Sequence, residues 1–376
     1  MSVSSSPRVL LLAGEASGDH HGAGVARALR ARLPSVRLIG LGGPLMEREG
    51  VELLAGLDQL AVMGFTEIVG RLEFFRELER RLVEELWAAD LVVAIDYPGF
   101  NMRIARAAHE IGCPVLYYIA PKVWASRPGR AKRLAEVTDR VAVIFPFEVE
   151  ILEQAGATVE YVGNPLLERT DDVADASTFH ETWGLDRDRP ILAILPGSRK
   201  QEIARHLDLF CEAAERVCRA LPDVQPVISK ATTLPKELFD RTAFPVVEDT
   251  RALLRHARAG LVKSGTSTLE AALESTPLVV AYRMAPLSWE ITKRMLRVKN
   301  VSLTNLVAGA DVVPELLQYA AVPERMAELL VPLFDDASSA YRSQIDGLSR
   351  IRGLLGTPGA SERVAELGIG LLEARS

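Results

Sequence analysis

Short, unbroken apolar runs punctuate the chain, each separated from the next by room for a helix. In the first half they cover residues 9–13, 36–41, 91–95, 115–119 and 140–144. Such runs, lacking polar residues at alternate positions, suit strands buried on both faces, as in a parallel sheet covered by helices. Between them the period changes to that of helices, one ending at Pro34 and others over residues 74–87 and 102–111. The second half repeats the beat. Strands are predicted at 191–195, 227–229, 261–263 and 278–282, and a long helix is stopped by Pro222. Residues 170–188 between the halves are polar and acidic and read as a linker. The expected fold class is α/β, with two Rossmann-like, doubly wound domains facing each other across a cleft. Their boundaries are expected at 1–170 and 189–340. Helical patterns over 337–355 and 360–372 are open to either domain.

Composition narrows the function. The 376 residues carry 44 Lys and Arg against 50 Asp and Glu, a net charge of −6, so nucleic acid is not an expected partner. Three cysteines without a CxxC pair exclude a disulfide framework and a zinc ribbon, and point to a reducing compartment. No secretory leader is expected, and no stretch approaches the ~18 apolar residues of a spanning helix. The six histidines form no HxH or HxxxH pair with a carboxylate partner, so no metal site and no cofactor is expected. Asp186-Arg187-Asp188 has the DxD order but falls in the linker.

Ligands of open parallel sheets sit beyond the carboxyl ends of the strands, so the loops there carry the chemistry. The first strand is followed by Gly14-Glu15-Ala16-Ser17-Gly18-Asp19, in which Ser17 or Asp19 can cap the next helix while Glu15 is left to face the crevice. The glycine order is not that of a dinucleotide fingerprint. Asp96 ends another buried strand, within Ile95-Asp96-Tyr97-Pro98-Gly99-Phe100-Asn101, where a carboxylate needs a partner or a ligand. It is a candidate general base; helix capping is the alternative. In the second half, Pro196-Gly197-Ser198-Arg199 opens a helix directly after a strand and offers amides, a hydroxyl and a guanidinium to a diphosphate. Lys263-Ser264-Gly265-Thr266-Ser267-Thr268-Leu269-Glu270 does the same without the order of a P-loop, and Glu270 is placed to accept from a ribose.

One stretch fits neither core nor loop. Leu78, Leu82 and Leu86 continue a helical stripe from Phe75, which leaves Met63, Phe65, Ile68, Val69 and Phe74 over, beside Arg71, Arg76, Arg80 and Arg81. Apolar residues among arginines suit a membrane surface or an acyl-chain groove; a helix folded onto the core is the plainer reading.

Taken in order, these motifs closely resemble those of the lipid-A-disaccharide synthases, bacterial GT-B glycosyltransferases. Leu60-Ala61-Val62-Met63-Gly64, Val123-Trp124-Ala125, Tyr282-Arg283-Met284 and Val301-Ser302-Leu303-Thr304-Asn305-Leu306 complete the ordered set. The resemblance implies an inverting transfer from UDP-2,3-diacylglucosamine to 2,3-diacylglucosamine 1-phosphate, giving the β-1,6-linked disaccharide 1-phosphate and UDP. It places the donor on Gly197, Ser198, Arg199, Gly265, Thr266, Ser267, Glu270, Arg283 and Asn305, and the base on Asp96. Glu15, Ser17, Gly18, Asn101 and Trp124 fall on the acceptor side. The stretch from Val62 to Arg81 falls on a lipid-facing insertion. A peripheral place on the cytoplasmic face of the inner membrane follows. Two positions depart from the pattern. Gly99 stands where an acidic residue is frequent, and Asn164 where some members have histidine. The competing readings are another UDP-sugar GT-B enzyme, such as a peptidoglycan N-acetylglucosaminyltransferase or a UDP-N-acetylglucosamine epimerase, and a non-catalytic sugar-nucleotide or lipid-binding module.

Overall fold

The computed structural model describes residues 6–60, 72–123, 129–168, 173–286, 289–290, 293 and 300–375. The chain divides into two compact units, residues 1–168 with 356–376, and residues 169–355.

The first unit is built on seven parallel strands, β1 (Arg8–Ala13), β2 (Arg37–Gly42), β3 (Glu52–Gly56), β4 (Leu91–Ile95), β5 (Val115–Tyr118), β6 (Arg140–Val143) and β7 (Val159–Tyr161). Their order is β3-β2-β1-β4-β5-β6-β7, so the sheet reverses its winding between β1 and β4. Besides the C-terminal helix, seven described helices accompany them: α1 (Ala16–Arg32), α2 (Pro44–Arg48), α3 (Leu57–Leu60), α4 (Leu72–Leu86), α5 (Pro98–Glu110), α6 (Gly129–Val137) and α7 (Phe147–Glu153). Alternation along β1 explains its unbroken apolar run. Val9 and Leu11 pack beneath Val25, Ala26 and Leu29 of α1 and beneath Val364 and Leu372 of the C-terminal helix Ala360–Arg375. Leu10 and Leu12 face the other way, onto Leu78, Leu82 and Leu86 of α4 and Ile104 and Ala108 of α5. The expected stripe on α4 is therefore a core face.

The second unit repeats the plan with β8 (Ile191–Leu195), β9 (Gln225–Ser229), β10 (Val246–Val247), β11 (Ala257–Lys263), β12 (Leu278–Tyr282) and β13 (Glu315–Leu317). The strands are parallel in the order β10-β9-β8-β11-β12-β13, with the reversal between β8 and β11. Seven described helices flank this sheet: α8 (Ala176–Trp183), α9 (Lys200–Ala220), α10 (Thr250–His256), α11 (Thr266–Leu273), α12 (Leu303–Ala308), α13 (Pro323–Leu330) and α14 (Ser339–Leu354). α9 buries Ile203, Leu207, Phe210 and Val217 against Leu192 and Ile194, beside Met326 and Leu330 of α13.

Two boundaries differ from the sequence reading. Within the stretch read as a linker, α8 is a capped helix: Asp175 accepts from Thr178 N–H at 2.9 Å, and Phe179 is 1% exposed against the His256 ring. One buried aromatic residue outweighs the acidic composition around it. The two C-terminal helices also part company. α14 belongs to the second unit, where Gln344 accepts from Leu278 N–H and the Tyr341 ring lies 3.8 Å beneath the Arg258 guanidinium. The last helix belongs to the first unit, bound through Ser361 to Glu168.

Candidate functional site

In each unit the predicted loops lie at the reversal point of the sheet. In the first, Ala13 and Ile95 are paired, so Gly14 and Asp96 leave adjacent strands side by side. A side chain at position 14 would place its Cβ 2.3 Å from the Tyr97 ring, so glycine is required there. Glu15 is the exposed N-cap of α1, Ser17 is exposed in its first turn, and Gly18 is buried against Ala13. Asp19 does not cap its own helix. Buried to 3% exposure, it accepts from Gly43, Leu45 and Met46 N–H at 2.8, 3.1 and 3.0 Å and so caps α2.

Asp96 and Tyr97 both adopt left-handed backbone, with φ of 45° and 48°. Such non-glycine conformations cost roughly 1–3 kcal/mol each and persist where the surroundings impose them. Here the surroundings are explicit. Asp96 N–H donates to Tyr118 O at 2.9 Å, and its carbonyl accepts from Asn101 Nδ2 at 2.9 Å and from the Tyr117 hydroxyl at 2.8 Å. Asn101, fully buried, also donates to Leu12 O and Ile95 O, tying the ends of β1 and β4 together. Its amide nitrogen is spent on backbone, so it supports the Asp96 turn from beneath instead of lying open on the acceptor side. Burial and the charge of Asp96 push the Tyr117 hydroxyl well above the ordinary tyrosine value, which keeps it a proton donor to that turn. Ile119, the residue after β5, is left-handed as well, with φ of 63°. Three strained residues thus gather at the ends of β4 and β5 while Asp96 itself stays half-buried.

The second unit holds a cavity of about 360 Å³ beyond the ends of β8, β9 and β11. Four predicted donor residues line it: Gly197, Ser198, Ser267 and Glu270. So do Ser229, Thr232, Thr250 and Arg251, which the sequence reading did not single out. Ser229 and Thr250 join their hydroxyls at 2.6 Å, and Arg251 is anchored by Glu274 at 2.7 Å. Glu274 is held below the usual carboxylate value: burial opposes this, but bonds to Arg251 and Arg255 outweigh it. Arg199 is the exposed N-cap of α9, and Gly265 the N-cap of α11 followed by exposed Thr266. These line the mouth of the same strand ends without being part of the cavity wall.

Arg283 and Asn305 stand apart from the cavity. Arg283 follows β12, half-buried, with Nε donating to Gln318 O at 3.3 Å. Asn305 is 2% exposed; its Oδ1 accepts from Val312 and Val313 N–H, and its Nδ2 donates to Val313 O and Glu315. It clamps the 311–315 turn and has no face left for a ligand. Of the apolar and basic stretch, Met63, Phe65, Ile68, Val69 and Arg71 lie outside the described residues, as does Trp124. Phe74 is half-buried edge-on to Phe75, whereas Arg76, Arg80 and Arg81 are exposed. Arg80 is paired with Glu77 and Glu84 on its own helix.

Comparison with known proteins separates the readings this geometry leaves open. A family model described as lipid-A-disaccharide synthetase matches residues 9–357. The lipid-A-disaccharide synthase of Myxococcus xanthus is 39% identical over 97% of this chain and 98% of its own. The chain belongs to the lipid-A-disaccharide synthase family. It is a glycosyltransferase of lipid A disaccharide formation, acting on lipid-linked sugars. Among solved structures, the UDP-GlcNAc 2-epimerase of Neisseria meningitidis bound to UDP-GlcNAc has a TM-score of 0.62 at 11% identity, covering 98% of this chain and 100% of that one. The calicheamicin glycosyltransferase has a TM-score of 0.59 at 17% identity, covering 99% of both. They show the GT-B fold. At the two positions that depart from the family pattern, Gly99 is exposed with open space around it. Asn164 is 1% exposed, donating to Ile144 O and accepting from Leu166 N–H, which is a loop-holding role and not that of a base. No helix among the described residues is long and apolar enough to cross a membrane.

Proposed function

We propose that this glycosyltransferase takes a 2,3-diacylglucosaminyl group from its UDP ester and gives it to the 6-hydroxyl of 2,3-diacylglucosamine 1-phosphate, forming a β-1,6 bond. The observation that carries the donor half is the 360 Å³ cavity at the β8–β11 reversal point, lined by Gly197, Ser198, Ser267 and Glu270. A nucleotide there meets the starts of two helices, a hydroxyl-rich wall, and carboxylates suited to ribose hydroxyls. The solved epimerase carries UDP-GlcNAc on the same fold, which supports a UDP ester as donor.

The acceptor half rests on Asp96. A carboxylate at the end of a buried strand stands here on a turn whose backbone is held by Asn101, Tyr117 and Tyr118 before substrate arrives. As the acceptor oxygen bonds to the anomeric carbon, its proton passes to Asp96. The anomeric carbon–oxygen bond to the diphosphate breaks, and UDP leaves with the electron pair. Attack opposite the leaving group inverts α to β. The developing diphosphate charge is met by Arg199, Ser198 and the amides at the starts of α9 and α11. Glu15 and Ser17, on the neighbouring strand end, are placed to hold the acceptor sugar.

The stretch from Val62 to Arg81 gives the enzyme its lipid contact and a peripheral seat on the cytoplasmic side of the inner membrane. Its exposed Arg76 and Arg81 supply the charge for anionic headgroups. Sedimentation with anionic vesicles should weaken as salt rises; binding that salt leaves unchanged would favour apolar insertion alone. Incubation with both purified glycolipids and mass detection tests the reaction. The disaccharide 1-phosphate and UDP should appear only when both are present, and hydrolysis or epimerisation of the donor alone would overturn the assignment.

A further inference from the structure

Three strand ends of the second unit, two of them leading into the donor cavity, converge on two side chains of α9 that no step above uses, one half-buried and one buried. Glu202, in the first turn, accepts from Ser198 N–H at 2.9 Å through one carboxylate oxygen and from Lys263 Nζ at 2.9 Å through the other. Its side chain is 14% exposed and that of Lys263 17%. One turn later, His206 is 1% exposed; its Nδ1 lies 2.9 Å from Glu202 O, and its Nε2 accepts from Arg283 N–H at 2.9 Å. The tautomer follows from the partners. An amide N–H must meet a lone pair, so Nε2 is bare and Nδ1 carries the proton. The Tyr282 ring stacks on the imidazole, centroids 5.7 Å apart, and Lys263 Nζ lies 5.4 Å from the Tyr282 centroid. Gly197 is shaped by the same group. With φ of 133°, it would drive a Cβ to 2.5 Å from the Cβ of Glu202.

The ends of β8, β11 and β12 are therefore joined through Glu202 and His206. A largely desolvated ion pair beside a neutral histidine is a poor way to stabilise a fold, since apolar packing of similar volume does as well or better. What this set supplies is position: Ser198 lines the cavity, Lys263 opens the turn that carries Ser267 and Glu270 into its wall, and Arg283 ties both to the end of β12. We propose that Glu202 and His206 are positioning residues that hold the two donor-seat turns in register with each other and with the end of β12, and that protonation of His206 loosens the seat for the nucleoside diphosphate. This rests on the donor assignment given above. A proton at Nε2 would point at Arg283 N–H and break that bond. The groups facing the imidazole are Glu202 and Arg205 from its own helix, Lys263 from β11, and Tyr282 and the Arg283 backbone from β12. Burial and the Lys263 and Arg205 charges hold its pKa below the ordinary histidine value against the opposing pull of Glu202.

The test uses the full-length enzyme and UDP itself, titrated calorimetrically at about pH 7.5 and about pH 5.5, on either side of the ordinary histidine range. His206→Phe should weaken UDP binding about tenfold, the scale of one lost hydrogen bond that leaves a buried donor bare. It should raise KM for the donor while kcat and the acceptor KM change little. His206→Gln, which keeps one donor and one acceptor, should restore most of the loss. Wild-type affinity should fall more between the two pH values than that of His206→Gln; protonation of the ligand's own phosphate is common to both and cancels. Unchanged UDP affinity in a folded His206→Phe, or equal pH dependence in wild type and His206→Gln, overturns the proposal. If His206→Phe does not fold, the pH comparison with His206→Gln decides alone. Wild-type enzyme that fails to bind UDP overturns the donor assignment instead, so the two failures are told apart.

Discussion

The two units share one topology and spend it differently. Both sheets are parallel and reverse next to their first strand, β1 against β4 and β8 against β11. Both place a short turn and a helix start at that point. In the first unit the turn is strained and pinned from beneath by a buried amide and a buried hydroxyl, and it presents carboxylates. In the second it presents backbone amides, hydroxyls and cations around a cavity, and its pins are a carboxylate and an imidazole. The topology selects where chemistry happens, and the loop side chains select which chemistry. A proton acceptor needs one carboxylate on a fixed backbone, which strain and pins supply. A diphosphate needs many weak donors, which two helix starts supply.

The largest effect should come from removing the first unit's charge. Asp96→Asn should lower kcat by about 10²–10⁴, the range for loss of a general base. A loss below tenfold would make the two reversal points equivalent again. Removing the second unit's guanidinium should act on binding. Arg199→Ala should weaken the donor by about 10- to 100-fold, as expected for a charge-assisted bond, while kcat falls less. A pure kcat effect would misplace Arg199.

The pins can be compared by stability. Asn101→Ala removes one of the two donors to the Asp96 carbonyl and the side-chain donor to the Leu12 and Ile95 carbonyls, at a cost of about 1–3 kcal/mol, read as a lowered denaturation midpoint. A midpoint equal to wild type would mean that Asn101 holds nothing.

The smallest effect is in the pH dependence of stability, where the second unit should dominate. His206 has a depressed pKa, so the unfolded chain takes up a proton first as pH drops below about 6.5, and stability begins to fall there. Glu202 and Glu274, also depressed, stabilise above about pH 4.3 and lose that contribution as pH falls through their folded values. For Glu202, burial works against the shift, and Lys263, Ser198 N–H and Arg199 outweigh it. Denaturation in steps of pH should show two declines in wild type and lose the upper one in His206→Gln. An unaltered upper decline would assign it to another group.

The architecture was legible because most of its central strands are apolar on both faces and carry an unbroken run, β9 with Gln225 and Ser229 being the weakest of them. The strands that escaped are β3, β7, β10 and β13, which are the four edges of the two sheets. An edge strand packs on fewer neighbours and tolerates Glu52, Glu160 and Glu315, so its pattern fades into loop. The site loops were legible for the same topological reason, since they follow the central strands. What escaped is contact across sequence. Asp19 looks like a cap for its own helix and serves α2. Asn101 and Asn305 sit in motifs that resemble binding loops, yet both are buried clamps. Glu202 stands at the third position of its helix, where a capping box would place it, but its bond to Lys263 spans residues that only the fold brings together. His206 carried one usable signal, its place one turn after Glu202 on the same face.

The account stands most directly on a single pairing of measurements made on Asp96→Asn: UDP affinity by calorimetry and turnover of the two glycolipids. UDP should bind as it does to wild type while turnover drops by about 10²–10⁴. Near-normal turnover with UDP bound would contradict it.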